Sequence, residues 1–278
     1  MKLLDAGPSE AGWHRIQSIK RCLRYYALER EQTKREWTDA LVNGSLVHVG
    51  LAHWYKHRQA KLQGIPNEYY TPEEAIKQLA LKETEKGGDK LWLQHVELAS
   101  YMVNQYMAHY HAETLRPLHI EEQFRGKMGE HLYTQRADLI VADADDKVWI
   151  IDHKTTYRVS AKVTKRYTLS GQFLGYQVIG KKVFAERFGG VLLNMIQRPT
   201  LKQYHENPTL PIDFKRVATE PAPYALKTFK QTILDAEQQL KNYSHLDNAM
   251  DWPGTYSETA CMTAYGPCPF HTTCQFGF

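Results

Sequence analysis

Two β-rich runs joined by a short acidic turn constrain this chain more than any other feature. The stretch 121–154 reads as successive strands. Its final run, Val148-Trp149-Ile150-Ile151, is almost wholly apolar, as suits a strand covered on both faces. That run ends in Asp152-His153-Lys154. Side chains alternate across a strand, so Asp152 and Lys154 share a face while His153 points to the other. The run over 137–142 has the same character, and the polar residues 143–147 read as a hairpin turn. A turn centred on Asp145 places Asp138 directly opposite Asp152, with Cβ atoms about 4.5–5.5 Å apart. Carboxylates that close repel unless a cation sits between them, and hard oxygen ligands suit Mg²⁺ or Mn²⁺. Lys154 then stands beside the metal, where an attacking water or an anionic transition state would be. A surface hairpin with ordinary charges is the competing reading of this stretch alone.

At 278 residues and 42% hydrophobic content, the chain can bury a full core as one large domain or as one domain with an attached lobe. Charged residues make up 24% and aromatics 12%, with no low-complexity tract or repeat, so disorder is not expected. The net charge of +4 and a pI near 8.7 permit an anionic partner without demanding one. The first ten residues lack the apolar core of a signal peptide, and no later run approaches membrane-spanning length. A reducing cytoplasm is the expected location, and there four cysteines are not normally structural disulfides.

Helical spacing of Ile16, Ile19, Leu23 and Tyr26 predicts one basic helix over about 13–37, with Cys22 inside it. Asn43-Gly44-Ser45 reads as the start of a second helix with His48 on its first turn and Val47, Leu51, Trp54 and Tyr55 on an apolar face. With 13 histidines in the chain, any single one is by itself more often incidental than a ligand. Thr71-Pro72-Glu73-Glu74 carries a cap, a first-turn proline and a capping box, opening a helix that ends near Gly87-Gly88. A long helix over about 90–112 follows, and the region 65–115 reads as a helical lobe. Beyond the hairpin come a basic segment (158–166), a helix with Gln172 and Tyr176 four residues apart on one face, and a strand over 190–196. A Pro-rich connection (208–223) then leads to a helix over about 224–243.

Cys261, Cys268 and Cys274 fall in a short Gly/Pro-containing tail, about 255–278, and such clustering near a chain end is a metal-site signal. Structural zinc usually draws on tight CxxC knuckles, which are absent, and four thiolates with wider spacing suit an iron–sulfur cluster at least as well. The fourth thiolate is then Cys22.

Together these pieces resemble the PD-(D/E)XK nuclease superfamily, specifically its RecB-like, AddB-like branch with a four-cysteine iron–sulfur cluster, in a phage-type variant. The resemblance spans nearly the whole chain. It implies an α/β fold, with a central mixed sheet flanked by helices, a helical lobe and a cysteine-ligated cluster joining the termini within a single domain (1–278). It implies that His48, Asp138, Asp152 and the backbone carbonyl of His153 hold one or two Mg²⁺ or Mn²⁺ ions beside Lys154. Gln172 and Tyr176 match the family's QxxxY helix, which lines the site and helps hold DNA. Cys22, Cys261, Cys268 and Cys274 match the cluster ligands, implying 4Fe-4S with zinc as the alternative. Glu121 or Glu122 stands where some relatives have a further acid.

The activity implied is metal-dependent hydrolysis of phosphodiester bonds at DNA ends, single strands favoured, in recombination, repair or bacteriophage DNA processing. Arg158, Lys162, Lys165 and Arg166 would track the phosphate backbone. The resemblance leaves room for a helicase or annealing protein as partner. Two rivals stay open: a DNA-binding or recombination module without turnover, and an endonuclease of the same superfamily.

Overall fold

A computed structural model of the chain describes residues 1–4, 7, 9–32, 37–87, 89–219, 222–263 and 266–277. In chain order the elements are α1 (Trp13–Arg21), α2 (Leu23–Glu31), α3 (Asp39–Gln63), α4 (Pro72–Gly87), α5 (Leu91–Gln94), α6 (Val96–His109), β1 (Arg116–Met128), β2 (His131–Ala142), β3 (Val148–Thr156), α7 (Ala161–Thr168) and α8 (Gly171–Phe184). They continue as β4 (Phe188–Gln197), α9 (Leu201–Glu206), β5 (Phe214–Thr219), α10 (Pro223–Tyr243), α11 (Glu258–Cys261), β6 (Met262–Thr263), β7 (Gly266–Pro267) and α12 (His271–Phe276). The chain forms two compact units. One comprises Met1–Pro8, Glu36–Phe124 and Arg136–Ala222, and the other comprises Ser9–Arg35, Arg125–Gln135 and Pro223–Phe278.

The first unit is built on a mixed sheet of order β1-β2-β3-β4-β5. Strand β3 runs antiparallel to β2 and parallel to β4, and β5 returns antiparallel to β4. This is the α/β architecture expected from the sequence, a mixed sheet flanked by helices. On one face Leu139, Val141, Ile151 and Ile196 pack with residues of α3, α4 and α6, including Leu51, Ile76, Met102 and Tyr106. On the other face Ile140, Ile150, Leu193 and Met195 pack with Phe173 and Tyr176 of α8. Burial of β3 on both faces explains its continuous apolar run.

The β2–β3 turn is local chemistry. Asp143 Oδ1 accepts the backbone N–H groups of Asp145 and Lys147, and its Oδ2 accepts Trp149 Nε1–H at 2.8 Å. Asp146 takes the left-handed conformation (φ 59°), which an aspartate tolerates. The pairs Leu139↔Ile151 through Ala142↔Val148 centre this hairpin on Asp145, the register read from the sequence.

Elsewhere the elements depart from expectation. The basic N-terminal helix is two helices, because Cys22 adopts extended backbone (φ −170°, ψ 125°) between α1 and α2; residues 33–36 lie outside the described residues. Helix α3 starts at Asp39, where Thr38 accepts the N–H of Leu41, so His48 lies well inside the helix and not on its first turn. The Thr71 capping box forms as read, with Thr71 and Glu74 exchanging side chain–backbone bonds. The long helix over 90–112 is broken at His95 into α5 and α6. Strand β5 lies within the Pro-rich connection, where no strand was expected. No helix among the described residues is long and apolar enough to cross a membrane.

Candidate metal-centred active site

At the end of the β2–β3 ladder the two strands change partners. The last paired residues are Leu139 and Ile151, and one residue further Asp138 Oδ2 accepts the backbone N–H of His153 at 2.7 Å. A side chain thus replaces the next rung. Ala137 and Ile140 pack into the same cluster, so strict strand alternation also fails across Asp138.

His48 of α3 meets this point, its Nδ1 standing 3.5 Å from Asp138 Oδ2. Glu121 of β1 completes a triad: ligand atoms of His48, Glu121 and Asp138 all lie within 4.8 Å of one another. Among the described residues this is the only such group of three or more histidine, cysteine or acidic side chains. Glu121 holds φ at 52°, a conformation costly for a residue with a Cβ and enriched where a side chain must be re-aimed. Its neighbour Glu122 instead bonds His119 Nδ1. The choice between the two glutamates, open in the sequence, therefore falls on Glu121. No local signal announces a left-handed residue inside a strand.

Asp152 is fully buried and heavily partnered. Its Oδ1 accepts Gln172 Nε2–H (3.0 Å) and Tyr176 O–H (2.9 Å), and its Oδ2 lies 2.6 Å from Lys154 Nζ. Gln172 also donates to Tyr176 Oη at 3.1 Å. The structure thus brings Asp138, Asp152, Lys154, Gln172, Tyr176 and His48 together, but Asp152 belongs to the lysine side of the cluster and not to the compact donor triad.

Electrostatics follow from burial. Burial raises the Asp138 pKa, and the Asp152 charge adds to it against opposition from His48, Lys154 and the His153 N–H. Burial alone would lower Lys154, but the carboxylates of Asp152 and Asp138 outweigh it and hold the ammonium charged. Burial, reinforced by the same carboxylates, keeps Tyr176 protonated. His153 is neutral for the same first reason, burial, aided by the His48, Arg216 and Lys154 charges. The donor set suits a hard divalent cation: two clustered carboxylates, an imidazole and, where the ladder opens, the His153 backbone.

Arg158, Lys162, Lys165 and Arg166 are exposed, the first beyond β3 and the others on α7. Lys154 Nζ stands 5.7 Å from the ring centroid of Tyr167 on α7.

The four cysteines belong to the second unit, and all are free and half-buried. Cys22 sits at the start of α2, where helical N–H groups have no helical acceptor. Burial pushes its thiol up, yet hydrogen bonds from Tyr25, Thr255 and Arg24 outweigh this and lower it. Cys268 donates its N–H to the Cys261 carbonyl at 2.7 Å. Burial raises the Cys268 thiol, and the nearby Cys274 and Cys22 charges raise it further. Cys274 lies on α12. No three of these sulfurs lie within 4.8 Å of one another.

A mixed five-stranded sheet whose opened hairpin carries clustered acids and a lysine defines a nuclease-type α/β core. The family model described as the PD-(D/E)XK nuclease superfamily matches residues 13–275, and the chain belongs to that superfamily. No curated protein matches. Among solved structures, a candidate exonuclease from Eubacterium rectale is similar over 98% of this chain and 93% of its own, with a TM-score of 0.51 and 12% identity, a likeness of fold. Another, SSO0001, covers 78% of this chain and 84% of its own at 16% identity, and its TM-score of 0.28 carries no argument.

Proposed function

We propose that this protein is a divalent-metal-dependent DNA nuclease acting on DNA ends, with single strands favoured. The observation that carries the reading is the His48/Glu121/Asp138 donor triad beside the buried Asp152–Lys154 pair. His48, Glu121 and Asp138 would hold Mg²⁺ or Mn²⁺, with Asp152 and the His153 carbonyl at the margin of the same site. When bound, such an ion makes water a better nucleophile and neutralises charge at phosphate. Lys154, held charged by two carboxylates, positions the attacking water or meets the charge that develops on phosphate oxygen. Gln172 and Tyr176 fix the Asp152 carboxylate, so that its free lone pairs and the lysine keep one geometry. The exposed Arg158, Lys162, Lys165 and Arg166 supply the salt-dependent hold on the phosphate backbone. Exonuclease action on ends is favoured by the fold shared with the Eubacterium rectale candidate exonuclease. Recombination, repair or phage DNA processing, with a helicase or annealing protein alongside, is the setting that suits such an activity.

Cys22, Cys261, Cys268 and Cys274 would hold an iron–sulfur cluster of the 4Fe-4S kind as a structural clasp for the second unit. Two features support this. The Cys22 sulfur collects N–H bonds that stabilise a thiolate. The thiols are also near enough to one another that, beyond burial, Cys274 and Cys22 raise the Cys268 pKa.

The test is digestion of end-labelled linear DNA with Mg²⁺, Mn²⁺ or EDTA, beside closed circular DNA. Metal-dependent release of label with the circle intact is expected. Cutting of the circle would make the protein an endonuclease, and binding without turnover would make it a non-catalytic module.

A further inference from the structure

The middle residue of the Asp-His-Lys strand faces away from the carboxylates. The His153 imidazole is buried, and Asn194 stands beside it on β4 in direct register. Asn194 Nδ2 lies 2.7 Å from His153 Nδ1 and 3.1 Å from Tyr106 Oη, while Tyr110 O–H donates to Asn194 Oδ1. An amide nitrogen donates twice and cannot accept, so this network assigns the His153 proton to Nε2.

The remaining hydrogens can be followed one by one. Tyr106 Oη also accepts Arg216 Nη2–H at 2.9 Å, so its own hydrogen goes to Tyr55 Oη at 3.0 Å. Tyr55 in turn donates to Glu113 Oε1 (2.8 Å), and Arg216 Nη1 closes on Glu113 Oε2 (2.8 Å). Tyr55 and His48 are seven residues apart and share a face of α3. The His153 ring stacks on Tyr55 (6.1 Å, 13°) and meets His48 edge-on (6.1 Å, 82°).

We propose that His153 is a positioning residue: the hydrogen bond that its Nδ1 accepts from Asn194 fixes the spacing between α3, which carries His48, and the strand that carries Asp152, Lys154 and the His153 carbonyl. The inference rests on the metal-site reading above and assigns the side chain of the middle residue a role separate from its backbone. A tyrosine–asparagine–arginine network behind His153 then governs metal affinity at the His48 triad, as outer partners of ligands do elsewhere.

Two substitutions separate positioning from packing. His153→Phe keeps a ring of similar shape and loses the acceptor. His153→Asn loses the ring and keeps an acceptor oxygen close to the Nδ1 position. Mn²⁺ binding to DNA-free protein is measured by calorimetry, with thermal melting to confirm folding, and the Mn²⁺ dependence of DNA cleavage is measured in parallel. The expected loss of Mn²⁺ affinity is about tenfold for His153→Phe and clearly smaller for His153→Asn. A phenylalanine variant equal to the parent, or better than the asparagine variant, overturns the proposal. Should His153→Phe not fold, the asparagine variant decides alone: folded protein that has lost about tenfold in Mn²⁺ affinity overturns it. Parent protein that binds Mn²⁺, shows this order of variants and cuts no DNA removes the nuclease reading and supports this one. Cleavage by the parent with the order reversed removes this one only.

Discussion

Tyr176 O–H and Asp152 Oδ1 lie 2.9 Å apart with both side chains buried, so a phenol from α8 holds the carboxylate of the strand that carries Lys154. Removing that hydroxyl leaves a buried acceptor short of a donor, at a cost of about 1–3 kcal/mol. Tyr176→Phe is expected to lower the urea midpoint accordingly and to reduce kcat more than it raises KM. An unchanged kcat in folded protein would remove Tyr176 from the site.

Lys154→Met should do two separable things. It leaves Asp152 without its cation, and breaking a buried pair costs about 3–5 kcal/mol. It also removes the charge proposed to meet the scissile phosphate, for which a loss of about 10²–10³ in kcat is expected. Asp152→Ala with Lys154→Met recovers part of the stability and none of the activity. Filter binding to labelled DNA, retained by Asp152→Ala, separates lost chemistry from lost substrate.

Glu121 and Glu122 are adjacent yet face different partners. Glu121→Gln is expected to weaken Mn²⁺ binding by about ten- to a hundredfold, whereas Glu122→Gln leaves it within about threefold. Calorimetric titration of both variants decides this, and equal effects would place Glu121 outside the metal site.

Acid should destabilise the protein before its carboxylates titrate. His53, His95 and His153 are buried, and in each case burial is the first cause holding the pKa below the ordinary value of 6.5. The unfolded chain therefore binds more protons than the native one below about pH 6.5, and stability falls as pH drops through that window. His53 is the cleanest case: Nε2 accepts Leu4 N–H and Nδ1 bonds the Tyr70 carbonyl, an arrangement that holds one neutral tautomer. Urea midpoints from pH 7.5 to 5.0 should decline, and His53→Gln should flatten the slope.

The β2–β3 hairpin and its register were legible because both runs are apolar, the turn is short, and a one-residue slip would turn every buried side chain outward. The capping box at Thr71 was legible for an equally local reason. What escaped depends on distant partners. Cys22 breaks a helix that periodicity alone continues, and β5 forms from a segment whose pattern is masked by flanking prolines but which pairs with β4. Glu121 was visible as a candidate, yet its selection rests on where α3 and β2 bring His48 and Asp138 to meet it. Asn194, Tyr106, Glu113 and Arg216 carry no motif; their roles exist only because β3, β4, β5, α3 and α6 converge behind His153.

The Asp143 side chain binds two backbone N–H groups and an indole within six residues of itself, which gives the hairpin a closing contact that needs nothing else in the protein. Contacts that short in sequence form early, whereas His48 and Tyr176 must arrive across long loops. In refolding the hairpin thus brings Asp152 and Lys154 to its end before Tyr176 of α8 arrives to hold the carboxylate.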